Sequence, residues 1–295
     1  MSRYVSLIID IEKSRMYTNL ERVEIQEYLI TCIEKLNILF KNGIVYDVTF
    51  SAGDELQGLF ADTVTAVLFL RMLELLVKPV KIRAGIGIGE LSVKIEGGLS
   101  TQQDGPAYHK AREAINRVHE MQTQRYRILS NKDEDILANH LLNASMALKQ
   151  QQIYMQNIIL LMLEFLYPFV NENIVLDDSW ILKELLLKKY NYQIGHQGFS
   201  VAGRSKINNE NIKNQALYNE NLMFIKEKIY INGECEDTES SIIRKAMSGS
   251  IAEIIGTTRQ NIDNIIRRGN SLIIRNLDYT ALQYIEKTYG GKYDF

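Results

Sequence analysis

The sequence contains few cysteines and few prolines. Its two cysteines, Cys32 and Cys235, lie far apart in a chain of 295 residues, so neither a disulfide framework nor a cysteine zinc site can be built from them. Three prolines and 18 glycines exclude collagen, proline-rich linkers and wholesale disorder. This use of cysteine is typical of a reducing compartment, and we expect a cytoplasmic protein.

The sequence also lacks an excess of charge and a long hydrophobic run. Lys and Arg number 34 and Asp and Glu number 36, which gives a net charge of −2. This balance argues against a protein that coats nucleic acid non-specifically, although a protein of this net charge can still have one basic face. The most apolar later stretch, 158–170, is interrupted by Glu164 and Pro168 and is too short to span a bilayer. No signal peptide is visible, because Asp10 and Glu12 interrupt the apolar start, and we expect no membrane partner.

Residues 1–130 alternate short apolar runs with helical patterns. The runs at 5–9, 44–50, 56–60, 80–89 and 126–129 predict strands, and the segments 19–40, 63–77 and 106–118 predict helices. The first six elements have the order βαββαβ, which is that of the ferredoxin-like arrangement. Right-handed crossovers predict one antiparallel sheet with helices on one face. The fold class is therefore α+β.

Three glycines alternate along the fourth predicted strand, at Gly85, Gly87 and Gly89. Alternate residues of a strand point to the same face. That face lacks Cβ atoms, so another backbone or a ligand can approach it closely.

The rest of the chain is predominantly helical in pattern. Residues 131–238 carry no recognisable chemical motif, and residues 239–295 are helical again with more positive charge. We therefore predict three domains. An α+β domain at 1–130 is followed by an all-α region, which is divided into a helical connector at 131–238 and a C-terminal domain at 239–295.

Asp10 and Asp54 form the first set of candidate functional residues. Asp10 follows the first strand, and Asp54 lies in the turn between the second and third strands, so a ferredoxin-like sheet would bring their carboxylates together. Paired carboxylates hold Mg²⁺ or Mn²⁺ in two-metal phosphoryl transfer, and the backbone carbonyl of Ile11 is a further candidate ligand. The alternative is that Asp10 caps a turn and Asp54 is merely a good hairpin residue.

The second set lies at the start of the helix that follows Gly105. A helix N-terminus binds phosphate through its free N–H groups, and Lys110 and Arg112 would add positive charge. The alternative is a solvated helix face. We interpret Arg83 as lying on the exposed side of its strand, and His119 as a surface or packing residue.

Residues 248–269 have the spacing of a helix-turn-helix. Ala252 allows two helices to approach closely, Gly256 supplies the turn, and Ile262 and Ile265 would pack the second helix against the core. The polar residues around the start of that helix would then contact DNA. They are Thr257, Thr258, Arg259, Gln260, Asn261 and Asn264, followed by Arg267 and Arg268.

The charge of this segment supports the prediction. Residues 244–275 contain six Lys and Arg residues and two acidic residues, Glu253 and Asp263, which gives the segment a net charge of +4. The alternative is a three-helix bundle that uses the same packing and does not touch DNA.

Four segments resemble known families. Residues 6–14 (SLIIDIEKS), 50–60 (FSAGDELQGLF) and 82–90 (IRAGIGIGE) resemble the palm domains of class III nucleotidyl cyclases and of GGDEF-type diguanylate cyclases. Residues 105–114 (GPAYHKAREA), together with the helix-turn-helix pattern, resemble the SatD family of bacterial proteins.

The palm resemblance implies roles for individual residues. It implies that Asp10, the backbone of Ile11 and Asp54 hold two Mg²⁺ or Mn²⁺ ions. The predicted nucleotide-binding residues are Gly53, Glu55, Gly105, His109, Lys110 and Arg112. His109 stands where class III cyclases carry an asparagine, and Arg112 is one position out of register with their arginine.

These observations predict a nucleotide-binding and metal-binding regulator that also binds DNA. The helices around residues 136–167 are candidates for a homodimer contact, since paired half-sites are read by dimers. Two alternatives remain open. One is an active nucleotidyl cyclase or nucleotidyltransferase that uses two metal ions, and the other is a non-catalytic interaction scaffold.

Overall fold

The computed structural model describes residues 3–174, 179–192, 224–234, 242–244 and 246–290. The predicted boundary at residue 238, between the connector and the C-terminal domain, lies outside the described residues, as does Cys235.

The elements fall into a sheet region and a helical region. The sheet region contains β1 (Tyr4–Ile11), α1 (Asn19–Leu39), β2 (Ile44–Ala52), β3 (Glu55–Phe60), α2 (Thr63–Val77), β4 (Ile82–Gly89), α3 (Pro106–Glu120) and β5 (Tyr126–Leu129). The helical region continues with α4 (Asp135–Asn143), α5 (Met146–Gln151), α6 (Tyr154–Leu166), β6 (Phe169–Val170), α7 (Ser179–Asn191) and β7 (Ile229–Tyr230). It ends with α8 (Met247–Ile255), α9 (Arg259–Arg268) and α10 (Ser271–Tyr289).

The first two helices begin at side chains that cap them. Thr18 and Glu21 form a reciprocal capping box at the start of α1, in which the Glu21 carboxylate accepts from the Thr18 N–H at 2.8 Å. Asp62 accepts from the N–H of Thr65 at 2.7 Å at the start of α2. Each cap satisfies N–H groups that have no partner inside the helix.

The main sheet has the strand order β2-β3-β1-β4-β5. Its first four strands pair antiparallel, and their order confirms the predicted βαββαβ arrangement. However, β5 pairs parallel with β4, so the sheet is mixed, and the prediction of a purely antiparallel sheet was wrong.

Helices cover both faces of this sheet, and the prediction of helices on one face was also wrong. Leu7 and Ile9 of β1 join the core beneath α1 and α2, whereas Ile8 packs against Ala111 and Ile115 of α3 on the other face. The β4–α3–β5 crossover therefore has the opposite hand to the two crossovers before it. The long connection at 90–105 carries the chain to the second face.

The alternating glycines of β4, Gly85, Gly87 and Gly89, form a glycine stripe that allows α3 to pack closely on that face. A Cβ added at Gly89 would lie 2.8 Å from the backbone nitrogen of Ala107, and a Cβ at Gly87 would overlap the backbone of Ala107 and Ala111. The close approach that the sequence predicted is therefore made by a helix of the same chain.

The segment after α6 is not purely helical, contrary to the all-α prediction. Pro168 follows α6, and Phe169 and Val170 then pair in parallel with Ile229 and Tyr230. None of the helices in the described part of the chain combines the length and apolar composition that a membrane-crossing segment needs.

The sheet region and the C-terminal helices share one buried apolar cluster. It includes Leu7 of β1, Phe69 of α2, Ile158 of α6 and Ile274 of α10, each essentially inaccessible to solvent. Burying each such side chain contributes about 1.5–3 kcal/mol to folding. The three-domain division stays a prediction, and no gap in the core marks its boundaries among the described residues.

Candidate functional site

Asp10, the first predicted metal ligand, lies near the end of β1 on the face covered by α3. The strand register places it opposite Glu55 of β3 and Arg83 of β4. Its Oδ2 accepts a hydrogen bond from Nη2 of Arg83 at 2.7 Å, and Nε2 of His119 lies 3.0 Å from the same oxygen. The Asp10 side chain is 16% exposed, so solvent screens these contacts only in part. Two basic residues therefore already contact this carboxylate.

Glu55 lies beside Asp10 on the same face and is also paired. It accepts hydrogen bonds from Nη2 of Arg112 at 2.7 Å and from Oγ of Ser51 at 2.8 Å, and Nη1 of Arg112 donates to its other oxygen. Burial alone would raise the pKa of Glu55, but the hydrogen bonds from Arg112 and Ser51 outweigh it and hold the pKa below its ordinary value. Glu55 and Arg112, both predicted to bind nucleotide, are thus brought together as partners of each other.

Asp54 and Ile11 line a cavity of about 240 Å³, and Asp10 does not line it. The cavity lies between the segment after β1, the first turns of α1 and the β2–β3 turn, with Arg15, Tyr17, Arg22, Gln26 and Gly53 also in its walls. We call it the β1–α1 cavity. Nε2 of Gln26 donates to the carbonyl of Gly53 at 3.3 Å, which ties α1 to the turn that carries Asp54.

The β1–α1 cavity has two arginines and one carboxylate in its walls. Arg22 donates to the carbonyls of Ser14 at 3.2 Å and Arg15 at 3.1 Å, and so fixes the short turn that follows β1. Within the described part of the chain, the side chains of Arg15 and Asp54 make neither a hydrogen bond nor an ion pair. The walls therefore have a net charge of +1, and the guanidinium of Arg15 is available to an anion.

The other predicted nucleotide-binding residues lie at the opposite end of the sheet. Tyr4 of β1 pairs with Gly89 of β4, and Asp10 pairs with Arg83. The length of β1 between Tyr4 and Asp10 is about 20 Å. Gly105, which precedes α3, lies at the Gly89 end, so the structure separates it from the β1–α1 cavity.

Gly105 and His109 make local contacts at that end. Gly105 has a φ of 149°, and a Cβ there would lie 2.6 Å from the backbone nitrogen of Ser92, so this position requires glycine. Nε2 of His109 lies 2.9 Å from Oδ1 of Asp104 in an exposed pair. These contacts account for both residues without a ligand.

Lys110 is held by backbone carbonyls. Its Nζ donates to Ile88 at 2.9 Å and to Ser130 at 2.8 Å. Burial lowers its pKa from the ordinary value. This ammonium joins the ends of β4 and β5 and does not point toward the β1–α1 cavity, which lies at the other end of the sheet.

The donor groups do not fit a two-ion metal centre as they stand. The carboxylate of Asp10 contacts Arg83 and His119, while Asp54 lines a cavity on the other side of β1. Among the residues that the structure describes, no cluster of three or more His, Cys, Asp or Glu side chains is arranged to hold a metal ion. The binding of Mg²⁺ or Mn²⁺ stays a prediction.

The C-terminal helices place the predicted DNA-contacting residues on one outer surface. Gly256 ends α8 with a φ of 73°, and Thr258 caps α9 by accepting from the N–H of Asn261 at 3.2 Å. Ile262 is fully buried, as the sequence predicted. Ile266 is also buried, whereas Ile265, which the sequence predicted to pack against the core, is only half-buried. The exposed residues of this surface are Thr258, Arg259, Gln260, Arg267 and Arg268, with Thr257, Asn261 and Asn264 half-buried beside them.

The charge of this surface is smaller than the sequence suggested. Arg275, one of the cations counted in the segment, is fully buried and pairs with Glu164. Arg244 pairs with Glu227 at 2.8 Å, and Arg259 lies 3.7 Å from Asp263. Three arginines, at 259, 267 and 268, therefore carry the exposed positive charge of α9.

Sequence reasoning missed the basic residues around both aspartates. Arg83 and His119 contact Asp10, although the sequence predicted an exposed strand residue for Arg83 and a surface or packing residue for His119. The strand register could have revealed Arg83, since pairing Gly89 with Tyr4 puts residue 83 opposite residue 10. Arg15 and Arg22 carry no motif, and only the coordinates place them beside Asp54.

Comparisons with known proteins identify a family and show weak similarity to solved structures. A protein-family model described as the SatD family matches residues 4–172. No curated protein matches the chain. Among solved structures, a bacterial light-regulated adenylyl cyclase is similar at 12% identity and a TM-score of 0.32, over 43% of this chain and 75% of that chain. A similarity of this size carries no argument about function.

Proposed function

The chain belongs to the SatD family, and we propose that it is a nucleotide-binding regulator whose palm-like sheet region holds phosphate groups in the β1–α1 cavity. The observation that carries this proposal is the free guanidinium of Arg15 in a positively charged cavity of about 240 Å³. Pockets for whole small ligands are about 300–1,000 Å³. The cavity therefore suits the phosphate chain, with the nucleoside outside it.

The same geometry favours binding over turnover. Two-metal attack on a phosphate needs carboxylates free to hold the ions. Asp10 is engaged by Arg83 and His119, so its carboxylate is not free for this role. The protein would then act as a sensor that binds a nucleotide and shifts between conformations of different affinity.

Nucleotide binding can be tested with one matched pair of variants. ATP and GTP are titrated calorimetrically into wild type, Arg15→Gln and Arg3→Gln, with and without Mg²⁺. Losing a charge-assisted hydrogen bond weakens binding by about tenfold or more, so Arg15→Gln should weaken binding. Arg3→Gln removes the same charge at the other end of β1 and should leave it unchanged. Equal affinity of wild type and Arg15→Gln would overturn the proposal.

The catalytic alternative makes a different prediction. Labelled ATP or GTP incubated with Mn²⁺ would give a cyclic or oligomeric product, and that product would disappear in both Asp10→Ala and Asp54→Ala. Nucleotide binding without product is the result that we expect.

A second candidate function, DNA binding, is favoured by the outer surface of α9. We propose that α8 and α9 form a helix-turn-helix and that the start of α9 enters the major groove. Its support is the division of α9 into a buried side, with Ile262 and Ile266, and an exposed side with three arginines. Paired half-sites would require a homodimer, which light scattering of the protein–DNA complex would detect.

The DNA proposal is tested by the salt dependence of binding. Anisotropy of labelled genomic fragments is measured at several stated salt concentrations for wild type, Arg259→Gln and Arg117→Gln. Each lost phosphate contact lowers the slope of log affinity against log salt by about 0.9. A contact to a base edge instead costs affinity and sequence preference. Arg117→Gln removes an exposed arginine of α3 and should behave as wild type. If Arg259→Gln also behaves as wild type, the DNA proposal is overturned, and the C-terminal helices are a three-helix bundle that does not contact DNA.

A further inference from the structure

A second cavity lies where the sheet region meets the helical region. It has a volume of about 130 Å³ and is bounded by the end of α2, the starts of β4 and β5, and α5 and α6. The polar and charged side chains in its walls are those of Glu74, Lys78, Lys81, Arg125, Tyr126, Lys149, Gln150, Gln152 and Asn157. We call it the α2–α6 cavity. At roughly 30 Å³ per water molecule, it has room for a small organic molecule.

Asn157 is the strongest indication of a ligand here. Its side chain is completely buried on α6, and neither Oδ1 nor Nδ2 has a hydrogen-bond partner within the described part of the chain. The Oε1 of Gln152, also in the wall, is buried and unpartnered as well. A buried polar group without a partner costs about 1–3 kcal/mol. An amide that keeps both its donor and its acceptor unused therefore matches a ligand with an acceptor and a donor side by side.

The charge of the walls indicates the second property of the ligand. Four cations line the α2–α6 cavity, Lys78, Lys81, Arg125 and Lys149, against the single carboxylate of Glu74. Lys149 lies 3.0 Å from Glu74 and 3.1 Å from Asp278, and Arg125 pairs with Glu12. Lys78 donates to the carbonyls of Lys149 and Gln152. The four cations therefore still outnumber the three carboxylates that contact them or line the cavity. The excess of positive charge favours an anion.

We propose that the α2–α6 cavity binds a small organic anion that carries an amide-type edge, with the edge hydrogen-bonded to Asn157. This site is separate from the β1–α1 cavity, and the two share no lining residue. Its occupant would also contact Gln152, whose Nε2 donates to the carbonyl of Gly269 at 2.7 Å at the end of α9. The ligand would thus lie against a residue that anchors the proposed DNA-contacting helix.

Three probe molecules separate the contribution of the ligand's negative charge from that of its amide-type edge. Orotate has both a carboxylate and an imide edge, uracil has the edge without the carboxylate, and benzoate has the carboxylate without the edge. Calorimetric titration of the full chain should show binding of orotate, with uracil and benzoate each about tenfold weaker or more, as expected when one charge-assisted or amide contact is lost. No binding of orotate, or equal binding of orotate and benzoate, would overturn the proposal.

Variants of Asn157 test the residue itself. Asn157→Leu keeps the number and branching of the side-chain heavy atoms and removes both polar atoms, and we expect it to bind orotate at least about tenfold more weakly. The control is Asn276→Leu, the same substitution on α10 outside the cavity, which should bind as wild type. Unchanged orotate binding by Asn157→Leu would contradict the proposal.

The melting temperature and the affinity for ATP show whether a loss of orotate binding comes from the α2–α6 cavity or from a misfolded protein. Asn157→Leu replaces an unpartnered buried amide by an apolar side chain, so its melting temperature should equal or exceed that of wild type. Asn157→Ala serves as a second variant, and if neither folds, the probe series on wild type decides. Asn157→Leu should keep its affinity for ATP, and Arg15→Gln should keep its affinity for orotate, so failure at one cavity is distinguishable from failure at the other.

Discussion

The carboxylate of Asp10 accepts a hydrogen bond from the guanidinium of Arg83 at 2.7 Å across the neighbouring strands β1 and β4. The antiparallel register places the two residues directly opposite each other. Side chains paired in this way are held together by the sheet itself. A cation that bound Asp10 would have to displace Arg83, and His119 beside it.

Freeing this carboxylate should create affinity for a divalent ion. We expect Arg83→Gln to bind Mn²⁺ about tenfold more tightly than wild type, because the ion no longer competes with a guanidinium. Spectroscopic titration of free Mn²⁺ measures the difference. Arg117→Gln, which removes an exposed arginine, should match wild type. Tight binding by wild type that is lost in Asp10→Asn would instead support the original prediction of a metal site.

Alanine substitutions at two glycines, one in β4 and one in α8, should have stability effects of opposite sign. Gly87→Ala should destabilise the protein by about 1–3 kcal/mol or more, because its Cβ would overlap the backbone of α3, which cannot move as a single side chain can. Gly249→Ala, in α8, has nothing within 4 Å of the added Cβ and should stabilise by about 0.5–1 kcal/mol. Urea unfolding of both variants measures these changes. Equal effects would mean that α3 does not pack on this stripe.

Local patterns explain why much of the fold could be predicted. The apolar runs of β1 and β4 and the helical spacing of α2 are set by neighbouring residues, so the sequence predicts them directly. The alternating glycines also predict a close approach to β4. They do not say whether a ligand or α3 makes it, because that depends on which face the connection at 90–105 reaches.

The site was harder to predict because its geometry depends on contacts between distant segments. Asp10 and Asp54 were recognisable from their positions at the ends of strands. Their basic neighbours were not, since Arg83 looks like any exposed strand residue until the register is known. The positive charge attributed to the C-terminal segment failed for the same reason, because Arg275 pairs with Glu164 of α6 inside the core.

Glu286 should make stability depend on pH. Burial, with Asp62 and Glu172 nearby, raises its pKa from 4.5 to about 7. Below pH 4.5 the carboxyl is protonated in both folded and unfolded states. Between about pH 4.5 and 7 the unfolded state ionises first, so the folded state loses stability as pH rises.

The variant Glu286→Gln removes this titration. It should match wild type near pH 4 and be more stable at pH 8, by about 1 kcal/mol once solvent screening of this half-exposed group is allowed for. Urea unfolding at pH 4, 6 and 8 measures the difference, with Glu120→Gln as an exposed control that should show no such trend. A constant difference at all three pH values would contradict the assignment.

The attachment of α10 to the sheet region depends on a buried ionic network centred on Glu164. This carboxylate accepts from Nη2 of Arg71 at 2.6 Å and pairs with Arg275, while Arg71 also donates to Asp278 of α10 at 2.6 Å. Burial would raise the pKa of Glu164, but the two arginines outweigh it and lower the pKa below its ordinary value. The network thus joins α2, α6 and α10.

Removing one charge from this network should be costly. Glu164→Gln keeps the shape of the side chain and leaves buried arginine charge uncompensated, so we expect a loss of about 3–5 kcal/mol in the free energy of unfolding. Glu113→Gln breaks the exposed pair with Arg117 and should cost less than about 0.5 kcal/mol. Hydrogen exchange should also quicken in α10 of Glu164→Gln, because that helix loses a partner that fixes it to α6. A variant as stable as Glu113→Gln would mean that apolar packing alone holds α10 in place.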